Sequence, residues 1–247
     1  MELALVSLAP GLALGSFLNV VAARVPRRTS VVRPASACMS CGTPISMRDN
    51  VPVLSWLLLR GRCRNCGVRI SPLYPAVELV TAALVAGCVF AFGLTGEMLV
   101  AAFFCAVLVA VSAIDLTHRI IPNRIVLPAF VVVLVANTLL EPSPQWALGA
   151  LGASGFLFLA VLVYPAGMGM GDVKLALLMG AALGKTVGVA LMLGMVAALV
   201  PAVFLLARHG SKARKMGIPF GPFLAFGSVV ALFWGDALMD AYFGLLL

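Results

Sequence analysis

Apolar residues fill the chain in eight runs, near 2–23, 76–95, 98–114, 125–140, 146–164, 173–184, 187–207 and 222–246. A helix that spans a bilayer needs roughly 20 apolar residues, within a range of about 17–25. Six of the runs are near or above that minimum. The run 125–140 reaches it if Pro122 starts the helix, a first-turn position that suits proline. The run 173–184 is short, and only Gly184-Lys185-Thr186 separates it from 187–207. Two helices are expected there, the first of them short. The alternative is one long tilted helix, which would move the C-terminus to the other side. The first run opens Met1-Glu2, has no basic n-region and is longer than a usual signal-peptide core, so it reads as a first transmembrane helix. The pattern predicts an all-α polytopic membrane protein of about eight transmembrane helices. Residues 1–23 form the first helix, 24–74 a loop, and 75–247 a membrane-embedded core.

Composition agrees with this class. Hydrophobic residues make up 62% and charged residues 11% of the chain, with mean hydropathy +1.11, which excludes an ordinary soluble domain. The net charge of +8 is concentrated: residues 24–72 hold nine arginines against one acid, Asp49. By the positive-inside rule that loop is cytosolic and the N-terminus outside. Nucleic acid is a poor partner, because no aromatic residues interleave with the arginines. Eight helices then return to the cytosol at 24–74, 115–124, 165–172 and 208–221, where Arg119, Arg124, Arg208, Lys212, Arg214 and Lys215 lie. Asp115 and Asp172 fall on that same face.

Cys38-Met39-Ser40-Cys41 and Cys63-Arg64-Asn65-Cys66 form two C-x2-C pairs 21 residues apart, each followed by glycine. Four thiolates at this spacing suit a tetrahedral structural zinc site made of two knuckles. The loop is too small for a large core of its own, so a metal staple makes physical sense. Two disulfides or unligated thiols are the alternatives, and a cytosolic location disfavours disulfides. Cys88 and Cys105 lie inside apolar runs and read as packing residues. Between the pairs, the apolar segment around Trp56 is too short to span. It either packs under the zinc site or lies in the membrane interface.

Asp172 closes Gly167-Met168-Gly169-Met170-Gly171-Asp172, and Asp115 closes another apolar run. Carboxylates at a bilayer boundary are costly unless they serve a purpose. Two that meet can share one proton. The ionised one then activates a water, and the protonated one supports the oxyanion and the leaving amine. Gly167, Gly169 and Gly171 leave room for a second backbone or an extended substrate strand. Other readings stand beside this one. Asp172 suits a helix N-cap, Asp115 could pair with Arg119 four residues on, and a proton-coupled transporter also uses paired acids.

Further segments complete an ordered series. Gly15-Ser16-Phe17-Leu18-Asn19 opens the basic loop, and the cysteine array encloses Asp49-Asn50-Val51-Pro52 and Leu54-Ser55-Trp56. Tyr74-Pro75-Ala76-Val77-Glu78 follows, then Asp115 with Ile121-Pro122-Asn123, then Gly169-Met170-Gly171-Asp172-Val173-Lys174, and last Pro219-Phe220-Gly221-Pro222-Phe223. Taken together, over nearly the whole chain, this series resembles the type IV prepilin peptidases, the bifunctional leader peptidase/N-methyltransferases of bacteria. The resemblance implies eight transmembrane helices in the bacterial inner membrane. It implies an aspartic endopeptidase that removes the short basic leader of type IV pilus prepilins or type II secretion pseudopilins, cutting after a glycine at the cytosolic face. It also implies methylation of the new N-terminus from S-adenosylmethionine.

By motif match Asp115 and Asp172 are the catalytic pair, with Gly167, Gly169, Gly171 and Lys174 supporting them. Cys38, Cys41, Cys63 and Cys66 match the family's metal loop, and Glu78 is the candidate for methyl transfer. A peptidase without methyl transfer is the nearest alternative. Ser71-Pro72-Leu73-Tyr74 departs from the family's usual Ser-x-Arg-Tyr, next to Glu78. Because leader and loop are both basic, recognition is expected through the substrate's apolar helix rather than through charge.

Overall fold

The first apolar run folds as α1 (Glu2–Val6) and α2 (Leu8–Arg24) in the computed structural model, which describes residues 2–165, 168–210 and 217–246. The loop that follows holds a short 3-10 turn, Met47–Asn50, and one brief helix, α3 (Leu54–Leu58). Then come α4 (Leu73–Phe92), α5 (Gly96–His118), α6 (Asn123–Leu140), α7 (Gln145–Val163), α8 (Met170–Leu183), α9 (Val187–His209) and α10 (Gly221–Leu246). Among the described residues there is no strand, only two isolated bridges in the loop. Seven helical stretches are long and apolar enough to cross a membrane, with 170–208 counted as one stretch of 39 residues. The chain is a multi-pass membrane protein.

The eighth expected span is the short α8. Gly184 takes φ +53 and opens a 3-10 turn, Gly184–Thr186, between α8 and α9. The contacts of the glycines give the direction of the helix that follows. A Cβ on Gly235 would meet Thr186, while one on Gly194 would lie 3.0 Å from the Phe223 carbonyl. So α9 runs back along α10 from the far end toward residue 221. At 14 residues α8 is about 21 Å long, short of a hydrocarbon core of roughly 30 Å. The two-helix reading therefore describes the backbone, and the short helix is what lowers the count of full-length spans to seven.

Contacts divide the chain into two compact units, residues 1–98 and 99–247. In the first, α2 packs on α4 through a Gly-x3-Gly face. A Cβ on Gly11 would lie 2.7 Å from Ala82 Cα, and one on Gly15 2.6 Å from Glu78 Cα. In lipid, helices gain little from burying apolar area against each other, so close backbone approach at small residues supplies the packing. In the same unit Trp56 Nε1 donates to the Ile70 carbonyl at 3.2 Å, and its ring covers Gly61. Leu54, Leu57 and Leu58 stay exposed. Trp56 thus packs into the loop, and the leucines of α3 keep an apolar outer face.

In the second unit Phe104, Leu108 and Val111 of α5 share one buried cluster with residues of α6 to α10. Gly149 and Gly180 face each other so closely that a side chain on Gly180 would overlap the Gly149 carbonyl, which locks α7 to α8. Buried Asn137 of α6 donates from Nδ2 to the Ala181 carbonyl of α8 at 2.9 Å. The short helix is therefore clamped from two sides near its C-terminal end.

Candidate active site

Asp115 sits in the last turn of α5 and is buried. The carbonyl end of a helix disfavours an anion, so this is a poor place for a carboxylate kept only for stability. Its Oδ2 accepts the Gly221 amide at 2.9 Å, from the first residue of α10. Asp172, also buried, is the third residue of α8 rather than its N-cap. The helix begins at Met170, after Gly169 in extended backbone (φ −85, ψ 152). Asp172 Oδ2 reaches back to accept the Gly169 amide at 3.1 Å. The two carboxylates are near enough for the charge on Asp115 to act on Asp172.

Each acid is thus tied to backbone through Oδ2. No hydrogen bond joins either Oδ1 to another of the described residues. Capping accounts for one oxygen of Asp172 and leaves the other for chemistry. Arg119 acts on Asp115 electrostatically but makes no ion pair with it among the described residues. Arg119 still donates its amide to the Asp115 carbonyl at 2.9 Å, but it lies past the end of α5 with φ +55, outside the helical conformation.

The glycines differ in what they do. At Gly171 the missing side chain is replaced by Ile121, whose Cβ would lie 2.9 Å from an added Cβ. That space is taken by another segment of this chain. At Gly169 the nearest atom to an added Cβ is Asp172 Oδ2 at 3.6 Å, so room remains beside the carboxylate. Gly167 lies outside the described residues. Lys174 donates from Nζ to Asn123 Oδ1 at 3.0 Å, which ties α8 to the start of α6. Gly221 is the residue that reading the sequence left without a role. Its only signal was a glycine between Phe220 and Pro222 at a helix start.

The four loop cysteines come together, with one Sγ from each all within 4.8 Å of one another. All are free thiols, and Cys38 Sγ stands 3.7 Å from Cys66 Sγ. Four Zn–S bonds of about 2.3 Å would set sulfur–sulfur edges of roughly 3.8 Å. Each pair turns the same way: the Gly42 amide donates to the Cys38 carbonyl and the Gly67 amide to the Cys63 carbonyl, both at 2.9 Å. Gly42 and Gly67 take φ +70 and +69, which glycine adopts without strain. Hydrogen bonding to Thr43, by side chain and then backbone, and to Asn65 brings the Cys41 thiol down to about 6. Cys66 goes up to about 11, because burial and the neighbouring thiols outweigh the lowering hydrogen bond at Val68. Four sulfurs packed this closely resist ionising together without a cation, and the donor set fits a tetrahedral thiophilic metal.

Comparison with known proteins follows this division. Residues 10–92 match the bacterial peptidase A24 N-terminal domain, and residues 102–206 match the type IV leader peptidase family. A prepilin leader peptidase/N-methyltransferase of Bacillus subtilis (strain 168) is 38% identical, with 94% of each chain covered. The chain belongs to the type IV leader peptidase family. Proteins of the same description from Burkholderia pseudomallei (strain 1026b) and Aeromonas salmonicida (strain A449) are 36% and 35% identical, over 91% and 96% of this chain and 83% and 92% of theirs. No solved structure matches significantly. Within this leader peptidase family member, the first matched domain contains the cysteine cluster and Glu78. The second contains Asp115 and Asp172 but ends before Gly221.

Glu78 is buried in α4, and its Oε2 accepts the Val53 amide at 2.7 Å. Asn19 Nδ2 donates to the Tyr74 carbonyl at 3.0 Å, and Gly15 lies against Glu78. The segments at 15–19 and 49–56, which sequence alone left without chemistry, therefore converge on 74–78, the segment of Glu78.

Proposed function

We propose that this membrane enzyme removes the leader of type IV prepilins or pseudopilins with Asp115 and Asp172, and methylates the new N-terminus. The observation that carries the first half is the pair itself. Two buried carboxylates from different helices are near enough to act on each other electrostatically, each with one oxygen fixed by a backbone amide and the other without a hydrogen bond to another of the described residues. One carboxylate takes a proton from water as its oxygen attacks the scissile carbonyl. The other, protonated, hydrogen-bonds the developing oxyanion and passes its proton to the leaving amine. Lys174 and Asn123 hold the two helix starts together beside the pair, and Gly169 leaves space for the substrate backbone. By the positive-inside rule, the arginine-rich loop supports a site that faces the cytosol at the inner membrane. The substrate's apolar segment occupies the bilayer beside the core.

We assign methyl transfer to the first unit, where Glu78 gathers the segments at 15–19, 49–56 and 74–78. S-adenosylmethionine would supply the methyl group. The transporter alternative is not favoured by the family, and a peptidase-only enzyme is the reading the test must exclude. Incubation of purified enzyme with a prepilin and S-adenosylmethionine, followed by intact-mass analysis, reports both activities. The expected product has lost its leader and gained one methyl group. Leader loss without methyl gain would remove the second half of the assignment.

We assign a structural zinc to Cys38, Cys41, Cys63 and Cys66. Replacing Cys41 and Cys66 with serine should take bound zinc from about one ion per chain to near none, as expected when thiolate ligands of a tetrahedral site are lost. Elemental analysis of the purified variant checks this. Retention of a full equivalent would show that the metal sits elsewhere.

A further inference from the structure

Val53 has φ +60 and ψ −51, a conformation that a β-branched residue rarely adopts. The Leu54 amide donates to the Pro52 carbonyl at 2.5 Å, two residues back, which closes a γ-turn with Val53 at its centre. The positive-φ form of this turn is rare and strained. Strain of this kind persists only where the surroundings over-determine it. Here they do. The carboxylate of Glu78 accepts the Val53 amide. On the entering side, Ser55 Oγ accepts the Val51 amide and donates to the Arg48 carbonyl, both at 3.0 Å. Asp49 is gripped by Arg64, which donates from Nε and Nη2 at 2.7 to 3.1 Å and holds that carboxyl below the usual range. Arg64 lies between Cys63 and Cys66. The segment 49–55 is therefore pinned to the cysteine knuckle at one end and to α4 at the other.

This arrangement gives Glu78 a job that uses its oxygen and not its proton. Its carboxylate is committed to a backbone amide of the same chain. While Oε2 holds the turn, that oxygen is not open to the substrate amine. Glycine is the residue that a positive-φ turn favours, and valine stands there instead, so the shape depends on the hydrogen bond from outside the turn.

We propose that Glu78 is a positioning residue for methyl transfer, acting through Val53: it holds the strained turn that presents segment 49–55. This rests on the assignment of methylation to the first unit. The turn is the functional element, and Glu78 is its clamp. Glutamine carries a carbonyl oxygen at the same place and can accept the same amide. The negative charge is not what the role requires.

The test uses full-length enzyme, prepilin and S-adenosylmethionine, with leader loss and methyl gain read in the same sample. Glu78→Ala should lower the methylation rate about tenfold or more, as expected for a buried amide that loses its acceptor, and leave leader removal intact. Glu78→Gln should stay within about threefold of wild type, because the acceptor is kept. Val53→Gly in the Glu78→Ala background should recover at least about fivefold, since glycine keeps the turn without the clamp. Hydrogen exchange at the peptide spanning 52–54 should speed up in Glu78→Ala and return toward wild type in Glu78→Gln. If Glu78→Ala methylates at the wild-type rate, the assignment of methylation to this cluster fails. If Glu78→Gln is as impaired as Glu78→Ala, or Val53→Gly restores nothing, the assignment stands and the positioning role is overturned. Should Glu78→Ala lose both activities through misfolding, the Glu78→Gln comparison still decides.

Discussion

Replacing either Asp115 or Asp172 with asparagine should abolish leader cleavage, with an expected fall of about 10³-fold or more for loss of a group that moves the proton. The fold should survive both changes, and the geometry says why. Asparagine keeps a carbonyl oxygen that can accept the Gly221 amide in place of Asp115 Oδ2, or the Gly169 amide in place of Asp172 Oδ2. What is lost is the ability to carry a proton at the free oxygen. The measurement is cleavage of a prepilin by detergent-solubilised enzyme, with methylation of a pre-cleaved substrate as the control for folding. The control should stay near wild type in both variants. Near wild-type cleavage by either one would end the assignment of the pair.

Gly221→Ala is expected to cost about 10²-fold in cleavage, because a displacement of order 1 Å at a reacting group is that expensive. The amide that donates to Asp115 is kept in this variant, so the effect isolates position. An added Cβ would lie 2.9 Å from Asp115 Oδ2 and 3.4 Å from its Cβ and Cγ. Either the carboxylate or the start of α10 must move. Gly188→Ala is the matched control, since nothing lies within 4 Å of its added Cβ. Its cleavage rate should be unchanged. Equal rates for Gly221→Ala and wild type would show that α10 does not set the position of Asp115.

Much of the architecture was legible in the order of apolar runs. Helices α4 to α10 follow those runs closely because bilayer thickness dictates the length of an apolar segment. The short α8 was visible as a run too brief to span, and Gly184 as the break. Two details escaped. Helix α8 starts three residues before its apolar run, because Gly169, Gly171 and Asp172 isolate Met170 and interrupt the hydrophobic pattern of a first turn, so Asp172 reads as a cap from sequence and is the third helical residue in the fold. The Gly11–Gly15 face was also unread: glycines in an apolar run look alike until a partner helix is placed against one of them.

The sequence by itself determined the class, the approximate spans, the pairing of C-x2-C knuckles and the identity of the acids. These follow from local chemistry, in which apolar length, ligand spacing and the cost of charge in lipid are properties of a segment. Only the tertiary structure decided what touches what. It joined Asp115 to Gly221 across 106 positions and filled Gly171 with Ile121. It denied Asp115 an ion pair with Arg119, and it clamped the turn at Val53 to Glu78. Such contacts depend on how helices pack, and packing is set by the shapes of two surfaces at once.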